Sequence, residues 1–92
     1  MGSSSFVELV ASVVRAIPKG TTLSYAGVAL RANKPGGARQ VVKALHALTG
    51  VPWWRVIKSD GTIAKEMVGK QAPRLRKEGL LVVGRRVKQS RP

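Results

Sequence analysis

The sequence contains no cysteine, which excludes disulfide bonds, cysteine-ligated zinc sites and thiol nucleophiles. Its single histidine, His46, cannot build a metal site by itself. No apolar run approaches the roughly 20 residues that span a bilayer, and the N-terminus lacks the basic flank and cleavage pattern of a secretory signal. We therefore expect no metal, no cofactor, no membrane segment, and a location in a reducing compartment such as the cytoplasm.

Acidic residues are also scarce, with four of them against 17 lysines and arginines and a formal net charge of +13. This balance predicts a polyanionic partner. The basic residues are spread along the chain and are not gathered on one long amphipathic helix, which favours nucleic acid over acidic lipid. A ribosomal or nonspecific architectural protein would share this charge. The 92 residues suffice for one small domain, which we expect to be monomeric and, in a bacterium, associated with the nucleoid.

Three segments in the first half have apolar residues at helical spacing, at about 4–17, 25–32 and 38–48. Serines precede the first segment, and Pro18-Lys19-Gly20 ends it. Asn33 to Gly37 breaks the chain between the second and third segments. Two short helices joined by a glycine-containing turn are typical of a helix-turn-helix.

The second half predicts a wing. Residues 51–58 are β-prone, Ser59-Asp60-Gly61 is a turn signal, and residues 62–64 are expected to return as a short strand. A basic helix at about 70–77, with Pro73 in its first turn, and a closing strand at 80–83 follow. The pattern predicts an α+β domain over residues 1–84 and a basic, flexible tail over residues 85–92.

Two of the four aromatic residues, Trp53 and Trp54, are adjacent. Neighbours in a strand point to opposite faces, so one indole is expected to be buried and the other to line a surface or cleft. One reading is a core tryptophan beside a rim tryptophan. The following Arg55 and the basic composition favour the other reading, in which an indole stacks on nucleic-acid bases.

The run Pro52-Trp53-Trp54-Arg55-Val56 resembles the Pro-Cys-His-Arg-Val motif of O6-alkylguanine-DNA alkyltransferases, with Trp53 at the position of the cysteine. Further matches are Ile17 to Gly20, Ser24-Tyr25, Ala38 to Val41, Val51 to Ile63, and Glu78-Gly79. The chain is thus similar to the alkyltransferase-like proteins, which carry tryptophan at the cysteine position. The resemblance implies a winged helix-turn-helix like the C-terminal domain of the alkyltransferases, which binds the minor groove and rotates a damaged nucleotide into a pocket.

The resemblance also implies roles in nucleotide flipping and DNA binding. Tyr25 matches the tyrosine that crowds the phosphate beside the target nucleotide, and Arg39 matches the arginine that fills the gap left in the base stack. Ala38, next to two glycines, would allow close approach to the groove floor. Lys43 lies four residues after Arg39, so both would share a helix face.

In the implied lesion pocket, Trp53 would form a wall without a nucleophile, and Trp54 replaces the histidine that relays the cysteine proton. Ser59 would contact the lesion from its turn. Relatives use an arginine near the position of Glu66 to stack on the flipped base, and Lys65 is the nearest cation here. The motif residues expected to be structural are Pro52, Arg55, Val56 and Glu78, the last of which matches the carboxylate that orients the histidine.

These features predict a protein that is not an enzyme and that recognises O6-alkylguanine in double-stranded DNA by flipping it. The resemblance further implies signalling to nucleotide excision repair proteins and a block on alkyltransferase action. A winged-helix regulator without lesion specificity is the main alternative. An alkyltransferase with an unconventional nucleophile is a third possibility, which the missing cysteine disfavours.

Overall fold

The computed structural model describes residues 5–88. Within that range it has four α-helices, four short strands and two 3-10 turns. In chain order these are α1 (Phe6–Arg15), β1 (Leu23–Ser24), α2 (Tyr25–Arg31), α3 (Ala38–Ala47), a 3-10 turn (Trp53–Arg55), β2 (Val56–Ile57), a second 3-10 turn (Lys65–Met67), α4 (Val68–Lys77), β3 (Leu81–Val83) and β4 (Arg86–Lys88). None of the helices in this range is long and apolar enough to cross a membrane.

Helix α1 begins at a capping box. The Ser5 hydroxyl accepts a hydrogen bond from the Glu8 backbone N–H at 3.1 Å, and the Glu8 carboxylate accepts one from the Ser5 N–H at 3.0 Å. Glu8 also lies where a negative charge favours the helix dipole. The predicted serine cap is therefore present at Ser5, whereas residues 1–4 lie outside the described range.

Helices α2 and α3 form the helix-turn-helix that the sequence predicts. The Ser24 hydroxyl caps α2 by accepting from the Gly27 N–H at 2.9 Å. The chain reverses through Asn33, whose φ of 65° lies in the left-handed region that asparagine tolerates. Apolar faces of α1, α2 and α3 then pack around one core, which contains the fully buried Val10, Val14, Val28 and Val41.

A second core lies between α4 and the wing and contains the fully buried Ile63 and Leu75. The wing is an antiparallel hairpin in which β3 pairs with β4 and Val82 opposes Val87. The α+β winged helix-turn-helix fold is thus confirmed, although four details of the second half differ from expectation.

Residues 62–64 do not form the expected strand, and only Thr62 makes a single bridge, with Arg86. The preceding turn is closed by the Asp60 carboxylate, which accepts from both the Thr62 backbone N–H at 3.0 Å and its hydroxyl at 2.6 Å. The Thr62 carbonyl also accepts from the Lys58 N–H at 3.0 Å, so Thr62 belongs to this turn. The second 3-10 turn already begins at Lys65, which leaves room for only one bridge to β4.

The chain end is also more ordered than predicted, because residues 86–88 of the expected tail form β4. Gly84, with φ of +59°, allows the tight turn that returns the chain onto β3. The folded domain therefore extends beyond residue 84 to at least Lys88. Residues 89–92 of the predicted tail lie outside the described range.

The expected strand over residues 51–58 is reduced to β2. Pro52 has no backbone N–H for a ladder, and its carbonyl instead accepts from the Arg55 N–H at 3.1 Å, which closes the 3-10 turn. Trp53 and Trp54 therefore do not alternate across a strand, and the expectation based on that alternation is wrong in its geometry.

Helix α4 begins at Val68, earlier than expected, so that Pro73 lies inside the helix and not in its first turn. An interior proline loses one backbone hydrogen bond and costs about 3 kcal/mol. The buried face of this helix, which contains Gln71, Ala72 and Leu75, offsets that cost by packing on the second core.

Strands β1 and β2 pair in parallel, with Leu23 opposite Val56 and Ser24 opposite Ile57. This short contact joins the helix-turn-helix to the second half of the domain. Because the strands run in the same direction, Tyr25 at the start of α2 and the turn containing Ser59 lie at one end of the pair. The tryptophan turn lies at the other end.

Candidate nucleic-acid interface

The two tryptophans meet edge to face, with ring centroids 6.0 Å apart and an interplanar angle of 84°. Trp53 packs against the core of the first three helices, and Trp54 packs against the core beneath the wing. Both side chains are half-buried. The adjacent indoles thus close the junction between the two cores, and neither is wholly a core residue nor wholly a rim residue.

An open cleft of about 710 Å³ lies along this junction. That volume falls within the range of roughly 300–1,000 Å³ that is typical of small-molecule sites. Its lining residues are Arg15, Leu48, Thr49, Gly50, Val51, Pro52, Trp53, Trp54, Arg55 and Arg74. The cleft combines two indoles with three guanidinium groups, which suits a flat aromatic ligand that carries electronegative atoms.

Glu78 is the centre of the hydrogen-bond network behind the tryptophan turn. Its carboxylate accepts from Arg55 Nη2 at 2.7 Å, from Arg55 Nε at 3.0 and 3.1 Å, and from the Trp54 indole Nε1 at 2.8 Å. The Gly20 backbone N–H donates to the same carboxylate at 3.2 Å. Arg55 also donates to the Ile17 carbonyl at 2.9 Å, so the network connects the turn to the end of α1.

The electrostatics of this network follow from its donors. Hydrogen bonds from Arg55, together with those from Trp54 and Gly20, lower the pKa of Glu78 from its ordinary 4.5 to about 2, although partial burial opposes the shift. Glu78 is therefore ionised at neutral pH and forms an ion pair with Arg55 at 2.7 Å. Trp54 occupies the position of the family histidine and still gives the carboxylate a ring N–H partner, a contact that sequence reasoning missed.

Gln71 holds the tryptophan turn from the other side. Its side chain is 2% exposed, and its amide Nε2 donates to the carbonyls of Trp54 at 3.0 Å and Val56 at 2.8 Å. Val56 is itself fully buried, and Pro52 begins the turn. The turn is thus fixed by contacts at both ends, which favours a rigid surface for binding.

Arg74, like Gln71, is a residue of this site that the sequence did not indicate. Its guanidinium carbon lies 5.4 Å from the ring centroid of Trp53 and 5.8 Å from that of Trp54, within the range of cation–π contacts. Arg74 Nη1 donates to the Lys70 carbonyl at 2.8 Å, one turn earlier in α4. In the sequence only the basic character of this helix is visible.

Tyr25 is half-buried at the start of α2, where it packs against the first core. Burial raises the pKa of its phenol, and the negative charge of Glu66 raises it further. Tyr25 is thus a neutral phenol at physiological pH, next to a helix start and within electrostatic range of an acidic side chain.

The remaining residues predicted to bind DNA lie on α3. Arg39 and Lys43 are both exposed, and Ala38 is the first residue of the helix. Gly37 precedes them at the N-cap, where an added Cβ would come within 2.9 Å of the Lys34 carbonyl oxygen and side chain. The helix start therefore requires glycine, and it presents two cations one turn apart.

Ser59 and Lys65 are exposed and do not line the cleft of the tryptophans. Lys65 lies in the second 3-10 turn beside Glu66. Of the four residues predicted for the lesion pocket, the structure therefore brings only Trp53 and Trp54 together in one cleft. Ser59 and Lys65 lie outside that cleft. The proposed contacts of Ser59 and Lys65 with a lesion stay predictions.

Comparison with known proteins gives consistent results. The family described as "6-O-methylguanine DNA methyltransferase, DNA binding domain" matches residues 5–80. Alkyltransferase-like protein 1 of Schizosaccharomyces pombe is 39% identical over 87 residues, which cover 87% of this chain and 81% of that protein. A DNA base-flipping protein of Vibrio parahaemolyticus is 38% identical over 82 residues, covering 84% and 82% respectively.

A solved structure agrees with these sequence matches. The crystal structure of S. pombe Atl1 in complex with damaged DNA containing O6-carboxymethylguanine superposes with a TM-score of 0.81 and 37% sequence identity. The match covers 90% of this chain and 83% of that one. The agreement extends over the helix-turn-helix and the second half of the domain together.

Proposed function

Since this chain belongs to the alkyltransferase-like proteins, within the family of the 6-O-methylguanine DNA methyltransferase DNA-binding domain, we propose that it is a non-enzymatic sensor of O6-alkylguanine in DNA. It binds double-stranded DNA through the helix-turn-helix and rotates the damaged nucleotide out of the stack. It then holds the base against Trp53.

One observation carries the proposal: the motif position that holds a nucleophilic cysteine in the alkyltransferases holds an indole that faces an open cleft. The surrounding scaffold, including the ion pair between Arg55 and Glu78, is intact. A site that retains the contacts supporting its motif but has tryptophan in place of the nucleophile is suited to binding a damaged base without reacting with it.

The chemistry of the replaced residues supports the absence of alkyl transfer. The chain has no thiol, and an indole is not activated as a thiolate is. Trp54 can only donate through its ring N–H, so it cannot act as a general base in place of a histidine. Its N–H is in any case bonded to Glu78.

The two indoles have different tasks in this proposal. Trp54 is bonded to Glu78 and packs on the second core, so it supports the turn. Among the described residues, no hydrogen bond uses the indole N–H of Trp53. Trp53 is therefore the wall that contacts the flipped base, where one stacked base is worth about 1–3 kcal/mol.

The flipping step follows the roles implied by the resemblance. Tyr25 crowds the phosphate beside the target, and Arg39 enters the gap, where its planar guanidinium stacks on neighbouring bases and donates to the orphaned partner. Lys43, one turn after Arg39, contacts the backbone. The bound complex recruits nucleotide excision repair proteins and blocks alkyltransferase access to the same base.

The test compares binding to two duplexes that differ only in one base, guanine or O6-methylguanine, and then weighs the protein and the DNA by mass spectrometry. Tighter binding to the modified duplex with both masses unchanged is expected. Equal affinities would favour the winged-helix regulator without lesion specificity. A protein that gains the mass of one methylene group would establish alkyl transfer.

Trp53→Ala should reduce the preference for the modified duplex by about tenfold, because the stacking contact is lost. Trp54→Phe is the matched control: it keeps an aromatic ring but removes the N–H, so it should lower stability and keep the preference. A Trp53→Ala protein that discriminates like the wild type would remove Trp53 from the site.

A further inference from the structure

The cleft beside the tryptophan turn has an unbalanced charge. Three guanidinium groups line it, from Arg15, Arg55 and Arg74, and no carboxylate does so among the described residues. Arg55 is already paired with Glu78, which lines a neighbouring cleft that Arg74 also borders. No other ion pair occurs within residues 5–88, so neither Arg15 nor Arg74 is paired with a carboxylate there.

Arg74 is exposed, and its contacts with α4 and the tryptophan turn restrain it. Both indoles contact its guanidinium, and the hydrogen bond from Nη1 to the Lys70 carbonyl fixes its orientation. That bond occupies one N–H, and the others are directed to no protein acceptor among the described residues. A guanidinium restrained in this way loses less side-chain freedom on binding a carboxylate than an unrestrained one would.

The surroundings combine apolar and cationic surface within one short distance. The guanidinium carbon of Arg74 lies 5.4 Å from the centroid of the Trp53 ring. A base held against Trp53 with its O6 edge toward Arg74 would place a short O6 substituent beside the guanidinium. Methylene groups could contact the indoles while a terminal anion accepts hydrogen bonds from the guanidinium.

We propose that Arg74, with Arg15 on the same cleft, makes this protein selective for O6-alkylguanines whose substituent carries a carboxylate, over uncharged substituents of the same size. The inference rests on the proposed function, because it requires the modified base to lie at Trp53. It adds a class of preferred lesion and the residue that reads it.

A backbone phosphate could use the same guanidinium, and the two ligands give different results. A phosphate contact would strengthen binding to every duplex equally, whereas a contact with the substituent would strengthen binding only where the carboxylate is present. The informative quantity is therefore the ratio of two affinities and not either affinity alone.

The experiment measures binding to duplexes that contain O6-carboxymethylguanine, its uncharged amide analogue O6-carbamoylmethylguanine, O6-methylguanine or guanine. The wild type should bind the carboxylate duplex about tenfold more tightly than the amide duplex, as one charge-assisted hydrogen bond gives at a partly exposed site. Arg74→Gln should bring this ratio close to one.

Lys70→Gln is the matched control, because it removes one positive charge from the same helix while keeping the backbone carbonyl that holds Arg74. It should keep the ratio. Arg74→Lys, which retains the charge without the planar fork, should give an intermediate ratio. Thermal melting of each variant verifies that the domain is folded.

Equal wild-type binding to the carboxylate and amide duplexes would overturn the inference, whatever the variants do. So would an Arg74→Gln protein that binds all four duplexes more weakly by the same factor, since that result assigns Arg74 to a phosphate. If O6-methylguanine is preferred over guanine in either case, the proposed function stands without this refinement. Equal binding to all four duplexes would remove both.

Discussion

Glu78→Gln is the substitution that most directly tests the support of the tryptophan turn. The carboxylate accepts hydrogen bonds from the Arg55 guanidinium, the Trp54 indole and the Gly20 backbone N–H. A glutamine of the same shape has one oxygen in place of two and no charge. It would leave Arg55 without its ionic partner and at least one donor without an acceptor.

The magnitude follows from the pKa of Glu78. A shift from 4.5 to about 2 corresponds to about 3 kcal/mol, and solvent screening at the edge of the domain reduces this to about 1–2 kcal/mol. The unpaired donor adds a further cost, so we expect the substitution to lower the free energy of unfolding by about 2 kcal/mol. For a domain of this size the midpoint of thermal unfolding should fall by about 8–16 °C.

The direction of the pKa shift determines how the stabilisation by Glu78 changes with pH. The folded-state pKa of Glu78 lies below the ordinary value, so its stabilisation is complete above 4.5 and is lost as pH falls towards about 2. The difference in stability between the wild type and Glu78→Gln should therefore be constant near neutral pH. It should shrink between about pH 5 and pH 2, because a protonated glutamate resembles glutamine.

Urea unfolding followed by circular dichroism measures the free energy of unfolding at neutral and at acidic pH. This readout does not rely on the fluorescence of Trp54, whose environment the substitution changes. Glu66→Gln is the control: it makes the same chemical change at an exposed residue that forms no salt bridge within residues 5–88, and should alter stability by less than about 0.5 kcal/mol. The reasoning fails if the two variants are equally stable, or if the Glu78→Gln deficit is undiminished at pH 2.

Three further predictions concern the site and the DNA. Arg39→Ala should weaken binding to an O6-methylguanine duplex more than to a short single strand carrying the same base, because only the duplex leaves a gap to fill; equal losses in an anisotropy titration would contradict the flipping role. Gln71→Leu should lower the free energy of unfolding by about 1–3 kcal/mol, because it leaves the Trp54 and Val56 carbonyls unpaired; the exposed Gln40→Leu is its control, and a similar loss in both would refute the reasoning. Affinity for DNA should fall about 10³-fold or more between about 50 and 200 mM salt if six or more phosphates are contacted, and Lys43→Gln should reduce the slope of log affinity against log salt by about one unit, which an unchanged slope would disprove.

Much of the fold could be predicted because its signals are local. The starts of α2 and α3, at Tyr25 and Ala38, follow from hydrophobic periodicity, a serine cap and a glycine break, each contained within a few residues. The wing was predicted less accurately. The pairing of residues 86–88 with β3 depends on the turn at Gly84 and on the bridge from Arg86 to Thr62, neither of which periodicity records.

In the candidate site, too, some residues could be predicted from local sequence and others depend on contacts between distant segments. The motif around Trp53 identifies the family and the missing nucleophile from residue types alone. Arg74 and Gln71 have no such signal: each is an ordinary residue of a basic helix, and their contacts with the tryptophan turn arise because α4 packs across it.

The sequence by itself therefore determined what chemistry is possible here. With no cysteine, and with Trp53 and Trp54 in the motif, the motif has neither a thiolate nor an imidazole. The large excess of positive charge suits a polyanionic partner. These properties belong to residue types and need no coordinates. Only the tertiary structure decided how the indoles are used. It bonded Trp54 to Glu78 and set Trp53 in a cleft beside Arg74, because those partners are distant in sequence and meet only when the two cores close against each other.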